Sequence, residues 1–352
     1  MFLIFSLMFS QVLGAQEVRE NYNGVRSLGM GGASIALVND ETALLLNPAG
    51  LGKLRDVFGT VFDPEIEGGM NLNEMYNAKA FSNPLDLNQV KETTDTTRDK
   101  YYHFKGQVFP SIVLKNFGIG LRAGRTIDAK MSTDGTQLTT FYQDDMSFHM
   151  GFSLRFLDGR IKVGAAGKLI SRIEVDRVLD PTGDMTLTTI GSEGVGIGSD
   201  AGLILTAPIA WLPTLSAVVR DVGGTAFTAG SGLRLKTESR PNRLEQDMDV
   251  AFALFPIHSS KSRSSFSLQY NKLTAASQSD DKTRFTHVGY EYNYADLLFL
   301  RAGMHQRYWT AGLEIASEFT QIQIASYGEE VGLAGFDSTE DRRYIFKFTF
   351  RY

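Results

Sequence analysis

The chain has 352 residues, with 35 Lys+Arg against 40 Asp+Glu; the formal charge of -5 excludes the basic electrostatics of a nucleic-acid binder. It has no cysteine, which excludes a disulfide scaffold, thiolate metal sites and a thiol nucleophile. It also lacks the run of roughly 20 apolar residues that a spanning helix needs, while 35 Gly, 24 Phe and 13 Tyr suit a soluble all-β protein or an outer-membrane barrel.

Residues 1–15 read as a secretory signal peptide, with an apolar stretch from Phe2 to Phe9 and small residues at Gly14 and Ala15. No Cys follows the small residues, so a lipoprotein anchor is excluded. Export fits the absence of thiols, which would mispair in an oxidising periplasm.

Residues 16–53 do not alternate in hydropathy. Gly29, Gly31 and Gly32 allow tight or positive-φ backbone and close packing of chain on chain. Asn39 or Asp40 is placed to cap a short helix from about Glu41 to Leu46, which Asn47-Pro48 then stops. The glycines do not form a nucleotide loop, because no G-K-[ST] follows and there is no βαβ context. From Arg26 to Leu51 the pattern R-x-L-G-M-G-G-A-x-x-A-L-V-N-D-E-T-A-x-x-x-N-P-A-G-L resembles the N-terminal plug signature of the FadL-like superfamily of outer-membrane proteins. That superfamily holds long-chain fatty-acid and aromatic-hydrocarbon transporters and also PorV-like proteins of a secretion apparatus. The resemblance implies a 14-stranded barrel with an N-terminal hatch inside it, here residues 16–53, and gives Asn47, Pro48 and Ala49 as the hatch triplet.

From residue 54 to 352 the dominant signal is period two. At the C-terminus Tyr344, Phe346, Phe348, Phe350 and Tyr352 share one face, against Ile345, Lys347, Thr349 and Arg351 on the other. Similar stripes run through Phe148, Met150, Phe152, Leu154 and Phe156, and through Trp309, Ala311, Leu313 and Ile315. Strands are predicted at 54–62, 104–115, 117–127, 146–157, 160–173, 199–207, 213–220, 247–256, 263–272, 284–293, 297–305, 308–317, 319–327 and 342–352. Several alternate over 9–12 residues, the length of a spanning strand rather than a soluble one. The total of 14 is even, and the connections alternate between long polar loops and short turns, with the brief Gln306-Arg307 turn as the exception. The fold expected is an all-β, 14-stranded antiparallel transmembrane barrel in a bacterial outer membrane. The aromatic strand ending at Phe348, Phe350 and Tyr352 resembles the signal read by the barrel-assembly machinery.

With apolar positions facing lipid, the alternate positions line the lumen. They include Arg122, Arg155, Lys162, Lys168, Arg220, Arg301, Lys347 and Arg351, against Asp249, Glu291 and Glu314, with His149 and His287 also inward. The basic excess either attracts an anionic ligand or is paired internally, partly by Glu17, Asp40 and Glu41 of the hatch. His103 and His258 fall in connections and are expected to be solvated. No HExxH, G-x-S-x-G or metal-ligand spacing occurs, so neither an enzyme nor a cofactor or metal is implied. Pro110 deletes a ladder donor within the second strand, marking a bulge near the rim or a gap in the wall.

Two functions follow. The first is an uptake channel for hydrophobic, fatty-acid-like molecules, gated by the N-terminal plug, with loop aromatics Tyr101, Tyr102, Phe104, Phe141 and Tyr142 supplying an apolar pocket. The alternative is a non-transporting, PorV-like barrel that serves as scaffold or shuttle for a secretion or surface-attachment machine. The partners expected are outer-membrane lipid, a hydrophobic small-molecule ligand, the barrel-assembly machinery and, on the second reading, a secretion-system protein.

Overall fold

The computed structural model describes residues 17–77, 86–229, 233–235, 237–332 and 338–351; the signal peptide expected at 1–15 and the terminal Tyr352 lie outside them. Fourteen antiparallel strands close into a barrel. In chain order they are β1 (Phe58–Phe62 continued by Glu65–Gly69), β2 (Tyr101–Val108 continued by Ser111–Leu114), β3 (Phe117–Met131), β4 (Leu138–Phe156) and β5 (Ile161–Leu179). There follow β6 (Ser192–Thr206), β7 (Thr214–Arg220), β8 (Asp247–Leu254), β9 (Ser262–Tyr270) and β10 (Thr286–Tyr294). The ring ends with β11 (Leu298–His305), β12 (Tyr308–Ala316), β13 (Thr320–Glu330) and β14 (Glu340–Arg351). Each strand pairs with its neighbour in sequence, and β14 pairs with both halves of β1 to close the ring. A short strand, Phe227–Ala229, adds to the outer end of β6.

Alternation places side chains as a closed barrel requires. Leu121, Phe152, Leu268, Ile324 and Phe346 are exposed on the outer face. Their neighbours Arg122, Ser153, Gln269, Gln323 and Lys347 are buried on the inner face. One rim carries only short turns, such as Asn116 at φ 70° and Leu157-Asp158-Gly159 at φ 51°, 56° and 83°. The other rim carries the long loops.

Several boundaries differ from those expected, β6 for instance starting at Ser192 rather than 199, and three of the differences bear on the site. The strands β3, β4 and β5 run well beyond 127, 146 and 173 at the long-loop rim, β4 and β5 each reaching 19 residues. Period two fades there because both faces are covered: Leu138, Thr140, Phe141, Tyr142, Asp144 and Asp145 are all buried. On the outer side Ile127, Tyr142 and Val175 pack with Met75 of α3 (Leu72–Asn77), Val90 of α4 (Asn88–Thr96) and Leu187. Second, β2 begins at Tyr101, so His103 lies within a strand and is 3% exposed rather than solvated. Third, β1 and β2 are both interrupted, at Asp63-Pro64 and at Phe109-Pro110. The two breaks lie side by side. Thr60 pairs with Ser111 on one side of them and Glu65 with Gln107 on the other, leaving residues 61–64 opposite 108–110 without ladder bonds. Proline has no N–H to offer, and the Phe109 N–H instead donates to Asp63 Oδ1 at 2.5 Å. Pro110 therefore sits in a double break of the wall, with Leu121 N–H still bonding its carbonyl at 3.0 Å from β3.

Candidate functional site

The N-terminal segment makes its contacts with inward-facing side chains around the ring. Near the long-loop rim Glu17 accepts from Arg343 of β14 at 2.9 Å and from Tyr101 of β2 at 3.1 Å. Burial alone would raise the Glu17 carboxyl, but Arg343 and Arg19 hold it well below the usual carboxylate range. Deeper, Arg26 in α1 (Val25–Gly29) reaches Glu291 of β10 at 2.9 Å and Asp40 at 3.3 Å. At the short-turn rim the Asn116 N–H donates to Leu51 O at 3.1 Å.

Glycines on facing strands create the room for this segment. Gly289 of β10 and Gly303 of β11 are cross-strand partners, and a Cβ on Gly303 would lie 2.8 Å from Gly31 N. A Cβ on Gly29 would lie 3.2 Å from the Gly312 Cα. Gly31 and Gly32 adopt φ of 66° and 87°, which lets the chain turn flat against the wall. The turned-out Gly31 carbonyl accepts from His287 Nδ1 at 2.7 Å and His305 Nδ1 at 3.2 Å.

A second glycine pair receives the Asn47-Pro48-Ala49 triplet. The helix α2 (Ala43–Leu46) starts later than expected, and Asp40 Oδ1 accepts from the Thr42 N–H at 2.9 Å rather than capping from an Asn39 or Asp40 cap position. Asn47 is extended, as the residue before proline must be, and its side chain accepts the Ala49 N–H at 3.0 Å. Its amide donates to Ile35 O at 2.9 Å and to Ser216 Oγ of β7 at 2.8 Å. Pro48 and Ala49 lie over Gly164 of β5, and Asn47 over Gly202 of β6, the cross-strand partner of Gly164. Any side chain at either glycine would occupy the triplet's place.

The lumen-lining residues fall into two sets. Most cations have carboxylates: Arg301 with Glu291 at 2.7 Å and with Glu314, Lys168 with Asp200 at 2.8 Å, Arg220 with Asp249 at 2.5 Å, and Arg122 with Asp145 at 3.9 Å. Lys347 pairs with Asp63 at 3.2 Å, and Arg351 with Glu41 at 2.8 Å. Arg155 and Lys162, at the short-turn rim, have no such partner among the described residues. Sequence alternation could not find Arg26, Arg172, Asp145 or the His103 group, because their role depends on pairings across strands. His103 lies between Glu67 at 2.9 Å and Asp128 at 2.6 Å.

The expected aromatic pocket is divided. Tyr101 and Phe141 face inward, with the Arg19 guanidinium 3.7 Å above the Phe141 ring, while Tyr102 and Tyr142 are buried behind the wall against α3 and α4. An inner cavity of about 70 Å³, open to solvent, lies at this level, and its walls include Glu17, Arg19, Glu67, His103, Asp128 and Arg343. An apolar cluster lies lower, behind the double break, where Tyr22, Leu44, Leu46, Leu54, Phe109 and Val113 pack together. Among the described residues no group of three or more His, Asp or Glu is placed to hold a metal ion.

A closed even barrel with an apolar outer face, a charged lumen and one rim of short turns has the architecture of an outer-membrane β-barrel of fourteen strands. Solved structures with this fold include the toluene transporter TbuX of Ralstonia pickettii, 14% identical, with a TM-score of 0.52 over 94% of this chain and 98% of that one. The CymD monoaromatic hydrocarbon channel is 12% identical, with a TM-score of 0.51 over 93% and 96%. The P. putida toluene transporter TodX is 14% identical, with a TM-score of 0.50 over 94% and 98%. These neighbours are FadL-family transporters of hydrophobic compounds, and at such identity the likeness is one of fold. No protein-family model and no curated protein matches the chain.

Proposed function

We propose that the chain is an outer-membrane channel for hydrophobic small molecules, closed at rest by residues 17–53. The observation that carries this reading is the double break between β1 and β2. Outside it Val61 and Phe62 are exposed on the lipid face; inside it Phe109 belongs to the apolar cluster with Tyr22 and Leu46. A hydrophobic molecule held there would have a short path to the bilayer that passes the Asp63–Lys347 pair but bypasses the upper lumen, where an apolar solute would strip water from many more charged groups. The fold neighbours are a monoaromatic hydrocarbon channel and two toluene transporters, which supports a small apolar substrate over a fatty acid. The test is accumulation of N-phenyl-1-naphthylamine by Gram-negative cells, whose lipopolysaccharide leaflet otherwise slows its entry. Expression should speed accumulation several-fold over cells carrying an unrelated closed barrel at equal level, and equal rates would refute the channel.

A second reading, a non-transporting scaffold for secretion or attachment, is favoured by two observations. The upper lumen is polar and ion-paired rather than apolar, and a separate apolar-cored cap of α3 and α4 packs on the outer side of β3–β5. Absence of uptake together with stoichiometric co-purification of one protein from native membranes would favour it.

A further inference from the structure

The pairing of lumen cations breaks down at one place only among the predicted set. Arg155 and Lys162 are direct cross-strand partners on the inner face of β4 and β5. Like charges directly opposite on an antiparallel pair are destabilising, and the other predicted lumen cations of this barrel each have a carboxylate nearby. Lys162 is nonetheless 8% exposed, with its ammonium fixed on the Gly159 carbonyl of the adjoining turn. Arg155 lies open at the mouth.

The N-terminal segment brings a third basic residue, Lys53, into this neighbourhood through its backbone. A Cβ on Gly52 would stand 3.3 Å from both Arg155 Cγ and Lys162 Cδ, so the backbone leading into Lys53 runs between them. Lys53 Nζ donates to the Ala36 carbonyl at 2.6 Å and, among the described residues, pairs with no carboxylate. Arg160 is exposed in the same turn, against a single acidic residue, Asp158. Apolar surface surrounds this concentration of positive charge: Phe156 and Leu157 are exposed beside it. In the next turn Ile209 and Trp211 are also exposed, and Thr206 N–H bonds the Arg160 carbonyl at 2.8 Å. Trp211 takes φ of 65° and Leu157 φ of 51°, left-handed conformations that are unfavourable for a bulky residue. Asn or Gly would fill either position without that cost, so turn geometry alone does not account for the apolar side chains.

We infer that Arg155 and Lys162 form a binding site, at the periplasmic mouth of the barrel, for the oxyanion headgroup of an amphipath whose chain lies on Phe156, Leu157 and Trp211. An oxyanion accepts from a guanidinium and an ammonium at once and removes the repulsion between them. A free carboxylate with an alkyl chain and the phosphate of an inner-leaflet phospholipid share this chemistry. The inference does not rest on the channel reading, since a closed scaffold barrel would present the same mouth.

The test uses 11-(dansylamino)undecanoic acid and the full chain in neutral maltoside micelles, with Trp309→Phe leaving Trp211 as the single energy donor. Transfer from Trp211 to the dansyl group should saturate, and the methyl ester of the probe should bind about tenfold more weakly or worse. Arg155→Gln with Lys162→Gln should weaken the acid by at least tenfold and leave the ester unchanged, while the charge-retaining exchange Arg155→Lys with Lys162→Arg keeps the acid bound. Heat-modifiable migration verifies that each variant is folded. Displacement of the probe by short-chain phosphatidylglycerol but not phosphatidylcholine assigns the lipid headgroup as source; displacement by dodecanoate alone assigns the free carboxylate. Equal binding of acid and ester, or undiminished binding of the acid by the folded double-Gln variant, would overturn the site.

Discussion

The Asn47 side-chain amide donates to Ser216 Oγ at 2.8 Å, tying the N-terminal segment to β7 at the point where α2 gives way to the 3-10 turn Pro48–Lys53. The same side chain accepts the Ala49 N–H and donates to the Ile35 carbonyl, so one residue fixes a turn, a neighbouring loop and the wall.

Replacing Asn47 by Ala removes three buried hydrogen bonds, one of them the cap of the 3-10 turn. At about 1 kcal/mol for each bond, the segment should lose about 2–3 kcal/mol of its docking while the barrel still assembles. Amide exchange of residues 33–50 should quicken and hydrophobic-dye accumulation should rise. Unchanged exchange would show that the triplet is an ordinary turn.

Gly202→Leu tests the same docking from the wall. Its side chain would occupy the place of Asn47, so the triplet must leave its seat while Ala201 and Leu203 keep their β7 partners. Single-channel conductance should appear where wild type is closed, with unaltered heat-modifiability.

Arg301 joins Glu291 and Glu314 in the lumen, and Arg26 reaches Glu291 from the N-terminal segment. Arg301→Met leaves Glu314 buried without a cationic partner and should cost about 3–5 kcal/mol in urea unfolding. The double change Arg301→Met with Glu314→Gln should recover a good part of that loss. A double variant no better than the single would argue that the group acts by packing alone.

The aromatic face of β14 is set outward as expected, with Phe346 and Phe350 exposed and Phe348 half-buried. Phe350 is near the short-turn rim, where a charge costs little in lipid, so Phe350→Asp should impair assembly chiefly through recognition by the assembly machinery. Folded barrel in the outer membrane should fall several-fold on gels, as it should when Tyr352 is deleted. Wild-type yields for both would remove that role.

What the sequence made legible follows from solvent. Across the bilayer one face of each strand meets lipid and the other a charged lumen, so alternation marked β9 and β12 to within a residue or two. Beyond the bilayer that contrast vanishes: Tyr142 and Asp145 sit on opposite faces of β4 and both are buried, so alternation does not mark the strand ends there. Lumen charges could be placed by parity, yet the ion pair of Arg172 with Asp145 depends on register, which alternation does not carry. The break at Pro110 was visible as a lost donor, whereas its partner at Pro64 was hidden because the first strand was ended at residue 62.

The central claim, that hydrophobic molecules pass only when residues 17–53 can move, is open to one direct measurement. The chain has no cysteine, so an introduced pair reports alone. A Cβ on Gly29 lies 3.5 Å from the Ala325 Cβ, within reach of a disulfide that would tie α1 to β13. Gly29→Cys with Ala325→Cys should accumulate N-phenyl-1-naphthylamine at the wild-type rate when reduced and at the background rate when oxidised. Equal accumulation in the two states, with the crosslink verified by mass spectrometry, would contradict the account.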